Sequence, residues 1–361
     1  MNRTFFLSVV ASFAFACGGT ATTTPSDAGS QLPDAGGCAG LDAEVAVQAP
    51  TSIYPSYALE GCRLAYVASG SQRLVLRDLK TGTESFVTDV PATPADEPRR
   101  PTLGDGFVAW ETGPAPASAV MVATSAGTKK LVGEFDHAGE PRAFGGAVVF
   151  TGWKSADPLG DTDVFLWDAS TGTVSAIATG PAQQRFADVN AKHVAYTDFA
   201  EDPDGRFDQN DTDLADIVLF DRATKKATPR KLAGKQAFPV LVSDDRFGYV
   251  HWGDVHPEPK FQAFGIRGAR IGTEPALDVV VADVTSATRF WLPSGSGGTI
   301  DWIAPETAGG VDVLWRAPVD GQQVKRTVLD GTLVGPPQSS PTLTLVALQS
   351  NGTVGLKTVD R

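Results

Sequence analysis

Histidine, cysteine and methionine are scarce: 4 His, 3 Cys and 2 Met in 361 residues. No HExxH and no CxxC occurs, and His251 and His256 stand too far apart to share one helical turn, so the usual zinc frameworks are excluded. SGSGG at 294–298 lacks the GxSxG frame of a nucleophile elbow, and neither a P-loop nor a dinucleotide fingerprint is present. Beyond the N-terminus no run reaches the ~18 apolar residues that a spanning helix needs. Cations are in deficit, 30 basic against 42 acidic residues for a net charge of -12, which excludes a nonspecific grip on nucleic acid or anionic lipid. Glycine (38) and proline (25) are plentiful, and with 42% hydrophobic and 20% charged residues they describe many short strands and turns, not long helices, coiled coil or general disorder.

Residues 1–16 carry one cation, Arg3, then an apolar run from Phe5 to Ala16 with small residues at Ala14 and Ala16, the pattern of a secretory signal. The AFAC stretch ending at Cys17, followed by two glycines, resembles a bacterial lipobox. That resemblance implies an exported envelope lipoprotein, periplasmic or surface-facing, held to the membrane through lipidated Cys17 alone; plain signal cleavage, with Cys17 a bystander, is the alternative. Residues 17–40 are rich in Gly, Ala, Thr, Ser, Asp and Pro and bury too little apolar surface to order, so they form a spacer ahead of a domain at 41–361. In an exported chain, Cys38 and Cys62 are expected to form a disulfide contributing about 3 kcal/mol, with two free thiols the alternative.

Within 41–361 a short apolar segment recurs: LAY ending at Tyr66, VAW at Trp110, VVF at Phe150, VAY at Tyr196, then GYV at Val250, IDW at Trp302 and LVA at Ala347. A second strand follows and often ends in an acid at a tight turn, as in LVLRDLKTG, VFLWDASTG, IVLFDRATK and VVVADVTSA, with Asp78, Asp168, Asp221 and Asp283. These acids are read as turn caps, with Gly82 and Gly172 supplying positive φ. Units of about 40 to 55 residues holding three or four strands are the signature of an all-β propeller, because one blade cannot bury both faces alone. Seven blades fit the count, with six or eight open. The last unit is too short, and the unassigned strand AEVAVQAP at 43–50 is expected to complete it and close the ring. RPTLGDGFVAWE, DTDVFLWDASTG and ADIVLFDRATK resemble bacterial TolB-like, PD40-type propeller repeats. The resemblance covers roughly residues 58–333 and implies a periplasmic or surface-associated binding module.

One segment stands apart. EDPDGRFDQNDTDLAD, from Glu201 to Asp216, has seven acids and one Arg; Asp202, Asp204, Asp208 and Asp211 read DxDGxxDxxD, which resembles a thrombospondin type 3 calcium repeat. Calcium binding and a solvated acidic loop are the two readings. The connection before the second strand lengthens in blades three, four and five, giving segments 154–163, 199–216 and 253–277 on one expected rim. The third offers Lys260, Phe261, Phe264, Arg267 and Arg270 to a partner. The expectation is therefore a monomeric, non-catalytic envelope propeller binding a protein or glycan. Its rivals are a propeller hydrolase or lyase using loop carboxylates and a purely structural envelope component.

Overall fold

The computed structural model describes residues 38, 45–50, 53–114, 116–154, 160–207, 214–252, 264–284, 290–307 and 309–361. Met1–Gly36 lies outside them, and every strand belongs to the unit Gly37–Arg361. Strand β1 (Val45–Ala46) leads. Blade one is β2 (Tyr57–Glu60), β3 (Arg63–Val67), β4 (Leu74–Asp78) and β5 (Glu84–Phe86); blade two is β6 (Arg99–Gly104), β7 (Phe107–Thr112), β8 (Ala119–Thr124) and β9 (Gly127–Lys130). Blade three is β10 (His137–Phe144), β11 (Ala147–Trp153), β12 (Thr162–Asp168) and β13 (Val174–Ala178); blade four is β14 (Gln184–Val189), β15 (His193–Asp198), β16 (Asp216–Asp221) and β17 (Lys226–Arg230). Blade five is β18 (Lys235–Leu241), β19 (Arg246–Trp252), β20 (Phe264–Arg270) and β21 (Val279–Val284); blade six is β22 (Ser294–Ser296), β23 (Thr299–Pro305), β24 (Asp312–Pro318) and β25 (Lys325–Thr327). Blade seven gathers β26 (Thr332–Leu333), β27 (Gln338–Ser339), β28 (Leu343–Ser350) and β29 (Thr353–Asp360) with β1. The seven sheets make a seven-bladed β-propeller.

The recurring apolar segments are the second strands, β3, β7, β11, β15, β19, β23 and β28. They are buried on both faces because each blade is covered by its two neighbours, which explains continuous apolar runs in place of alternation. Phe107 of blade two meets Trp167 of blade three edge to face at 5.2 Å. The turn acids act as expected: Asp78 Oδ1 accepts the Lys80 and Thr81 amides at 2.7 and 3.2 Å, and Asp168 Oδ1 those of Ser170 and Thr171 at 2.8 and 3.2 Å. Gly82 and Gly172 both take φ of 71°, while Lys225 fills the same role in blade four at 59°.

Strand exchange closes the ring. Val45 lies opposite Leu356 and Ala46 opposite Gly355, so β1 becomes the outer strand of blade seven. The chain then crosses to blade one, where the Gln48 amide donates to the Val67 carbonyl at 2.9 Å. Val45 and Val47 are buried among Tyr57, Leu345 and Leu356, each contributing roughly 1.5–3 kcal/mol by burial. The Cys38–Cys62 disulfide fastens the preceding chain to the β2–β3 turn of blade one. The seam between blades six and seven is polar instead. Asp301 is fully buried; its carboxylate accepts from Arg316 Nε (2.6 Å), Arg361 Nη2 (3.2 Å), Ser339 Oγ (2.5 Å) and Thr344 Oγ1 (2.8 Å).

Blade five departs from the repeat reading. VVVADV forms the outer strand β21, and Asp283 pairs with Arg267 at 2.9 Å and caps no turn. The third strand is FGIRGAR, whose two glycines hide the apolar run. Gly268 is there for contact: a Cβ on it would sit 1.7 Å from the Val319 carbonyl oxygen of blade six. The 253–277 segment is accordingly interrupted by β20 and is not one long loop.

Candidate functional site

Strand direction selects the face that carries the site. In an antiparallel four-stranded blade the starts of the inner strands, the second-to-third connections and the links between blades all lie at one end. The long connections 154–161, 199–215 and 253–263 of the adjacent blades three, four and five therefore leave from this loop face, as does the short connection 68–73 of blade one. Beneath it, the inner strands β2, β6, β10, β14, β18, β22 and β27 neighbour one another around the central channel.

Inner strands of blades two to five share a device. β6, β10, β14 and β18 each carry a β-bulge, and the bulged residues Arg100, Glu140, Phe186 and Phe238 have φ of 49°, 57°, 55° and 56°. Left-handed geometry in such residues costs on the order of 1–3 kcal/mol and persists only where surroundings fix it. Neighbouring blades do so: the Glu140 amide donates to Glu111 Oε2 at 3.2 Å, and the Phe238 amide to Thr197 Oγ1 at 3.2 Å.

The bulges bring one charged and one aromatic half to the channel mouth. On the charged side, Arg99 Nη2 and Arg100 Nη1 donate to Glu111 at 3.0 and 2.8 Å, and Arg185 Nη2 donates to Glu140 Oε1 at 2.5 Å. The Tyr54 hydroxyl reaches from before β2 to the same Glu140 oxygen at 2.8 Å, with Arg100 lying 3.9 Å over its ring, and Thr151 Oγ1 donates to Glu140 Oε2 at 3.0 Å. Burial alone would raise the Glu140 carboxyl, but the Arg185 and Arg100 guanidiniums outweigh it and hold it down at about 2. The Tyr54 phenol is pushed well above its ordinary value by burial and by Glu140, so it remains a donor. On the aromatic side Phe186 and Phe238 lie 4.5 Å apart, Phe238 and Phe290 5.2 Å, and Phe207 stands edge-on to Phe186 at 4.9 Å. Arg185, 4.8 Å over Phe186, joins the halves. Phe186, Phe238 and Phe290 are core residues, so the side of the mouth open to a ligand is the charged one. It holds no proton poised for transfer at Glu140 near neutral pH.

Tyr54, Arg99, Arg100, Glu111, Glu140 and Arg185 were not among the residues singled out from sequence. A signal existed: Tyr54-Pro55, Arg100-Pro101, Glu140-Pro141 and Phe238-Pro239 recur ten to twelve residues before the repeat's aromatic or apolar marker. Of the singled-out residues, Cys38 and Cys62 are bridged, whereas Cys17, Asp208, Asp211, Lys260 and Phe261 lie outside the described residues. Asp202 Oδ1 and Oδ2 accept the Asp204 and Leu214 amides at 3.0 and 2.8 Å, and Asp204 Oδ1 accepts the Arg206 amide at 3.0 Å. Asp216, at the end of this acidic connection, is pushed up to about 6 by burial and by Glu201. Phe264 is buried edge-on against Phe290 at 5.3 Å beside the mouth. Arg267 is held by Asp283, and exposed Arg270 ends β20 at the opposite face, so these three share a strand but not a surface.

No family model matches the sequence, and no curated protein is similar to it. Among solved structures the chain is similar to the β-propeller domain of the trilobed protease from Pyrococcus furiosus, at TM-score 0.59 and 13% identity over 85% of this chain and 96% of that one. It is similar to the tricorn protease at TM-score 0.58 and 14% identity, over 88% of this chain and 34% of that one. TolB from Acinetobacter baumannii gives TM-score 0.48 and 16% identity over 73% of this chain and 63% of that one. The chain thus spans about a third of the tricorn protease and under two thirds of TolB. At these identities the likeness is one of fold, the seven-bladed β-propeller.

Proposed function

We propose that this protein is a non-catalytic binding propeller of the bacterial envelope, exported and tethered through lipidated Cys17, which holds a protein or glycan partner against its loop face. The observation that carries the reading is that the long connections of three adjacent blades leave from the same face as a channel mouth built from bulged inner strands. The hydrolase or lyase reading needs a carboxyl that exchanges protons near working pH. Glu140, held at about 2 by Arg185 and Arg100, is unsuited to that task, and Asp216, pushed up to about 6 at the end of the acidic connection, is the carboxyl such a reading would have to use.

Calcium in the acidic connection, with Asp202, Asp204, Asp208 and Asp211 as its ligands, would fix the rim of the same face. Calorimetry of calcium into the wild type and into Asp204→Ala with Asp208→Ala checks it; absence of heat in the wild type rejects the ion. A crosslinking pulldown from intact cells tests the function itself. Capture of one partner, lost when the 155–159, 208–213 and 253–263 segments are replaced by short linkers, is expected. Turnover of a glycan, peptide or ester that follows a single loop mutation would overturn the binding reading, and Cys17→Ser protein that still pellets with membranes at high salt would overturn the tether.

A further inference from the structure

The mouth has more free donors than free acceptors, and that restricts what can fill it. Every oxygen of its two carboxylates is engaged: Glu111 by Arg99, Arg100 and the Glu140 amide, Glu140 by Arg185, Tyr54 and Thr151. The guanidiniums are less fully used. Arg99 directs only Nη2, Arg100 only Nη1 and Arg185 only Nη2 to partners among the described residues. Their side chains keep 35%, 26% and 18% of their exposure. Three arginines face two glutamates, leaving one positive charge in surplus in a chain of net charge -12.

We propose that Arg99, Arg100 and Arg185 at the channel mouth form a receptor for a carboxylate presented by a peptide. Guanidinium forks match planar carboxylates and bond them with charge-assisted strength. A peptide fits better than an acidic glycan, because one surplus positive charge matches one carboxylate, whereas a uronate chain, charged at every sugar, would set its other charges against a chain of net charge -12. Phe186, 4.8 Å beneath the Arg185 guanidinium, backs it from the core. The inference rests on the loop-face binding reading and narrows it to one ligand chemistry.

Fluorescence anisotropy with the full chain tests it. The probes are labelled acetyl-Ala-Phe-Glu-Phe-Glu-Ala-amide, its Gln counterpart as an amide, and the Gln counterpart with a free C-terminus, with trigalacturonate as competitor. The Glu peptide is expected to bind about tenfold or more tighter than the Gln amide, and to weaken as NaCl rises from about 50 to about 500 mM. Arg99→Gln, the most exposed of the three, is expected to weaken it roughly threefold to tenfold while the melting curve shows the fold intact. Recovery of affinity by the free C-terminus of the Gln peptide assigns the α-carboxylate as the source; no recovery assigns the acidic side chain. Equal binding of the Glu and Gln amides, or no effect of Arg99→Gln, overturns the proposal, and binding of trigalacturonate without either acidic form of the peptide replaces it with a glycan site. If the peptides fail while the cellular partner is still lost with the loops, this inference falls and the loop-face reading stands. If the peptides bind and loop replacement leaves partner capture intact, the reverse holds.

Discussion

The ring has two neighbouring seams made from opposite materials. Between blades six and seven, one buried carboxylate, Asp301, holds Arg316 and Arg361 with Ser339 and Thr344. Between blades seven and one, a two-residue strand, two buried valines and a disulfide do the same work. The polar seam has high specificity but no redundancy, since each guanidinium relies on one acid. The apolar seam is additive, because each valine and the bridge contributes separately.

The largest expected effect breaks the polar seam. Asp301→Ala strands two arginines in a dry interface and should cost about 3–5 kcal/mol, visible as a large fall in denaturation midpoint. A fall no greater than that of an ordinary surface substitution would show that water reaches the seam. On the apolar side, Cys62→Ser should cost about 3 kcal/mol or less, the entropy of freeing the loop, and a thiol reductant should reproduce it in the wild type. If the reductant leaves the melting temperature unchanged, the strand alone closes the ring.

Acid tests the channel mouth. The Glu140 carboxyl is lowered from 4.5 to about 2, so its ion pairs stabilise the fold fully above pH 4.5 and lose that contribution as pH falls through 2. That linkage amounts to roughly 2–3 kcal/mol, and in Glu140→Gln the stability profile across that window should flatten. A variant as steep as the wild type would assign the acid sensitivity elsewhere. The smallest effect lies far from any seam: Asp168→Ala removes the acceptor of the Ser170 and Thr171 amides in an exposed turn and should cost about 1 kcal/mol by thermal melting.

What was legible in the sequence was whatever repeats with an apolar signature. The second strands could be counted because Tyr66, Trp110, Phe150 and Tyr196 fill equivalent buried positions, and ring closure followed from a strand left over at 43–50. Blade five misled because its third strand surrenders side chains to packing: Gly268 must admit the Val319 carbonyl, and the exposed outer strand VVVADV mimics what is missing. The mouth was illegible for a different reason. Arg100, Glu140 and Phe186 share no chemistry, only a backbone conformation, and no composition window detects that. Arg185 and Tyr54 meet at Glu140 from blades four and one, separated by 131 positions, a juxtaposition that only the closed ring creates.

The bulges have an evolutionary corollary. Each one is set by main-chain geometry, with an amide bond to a side chain of the preceding blade at Glu140 and Phe238, and not by the nature of the side chain, since the positions already tolerate a cation, an anion and two phenyl rings. The inner strands thus act as interchangeable sockets, one per blade. A lineage carrying this scaffold can rewrite what the mouth recognises by one codon at a time, leaving the seams, the turns and the blade count untouched.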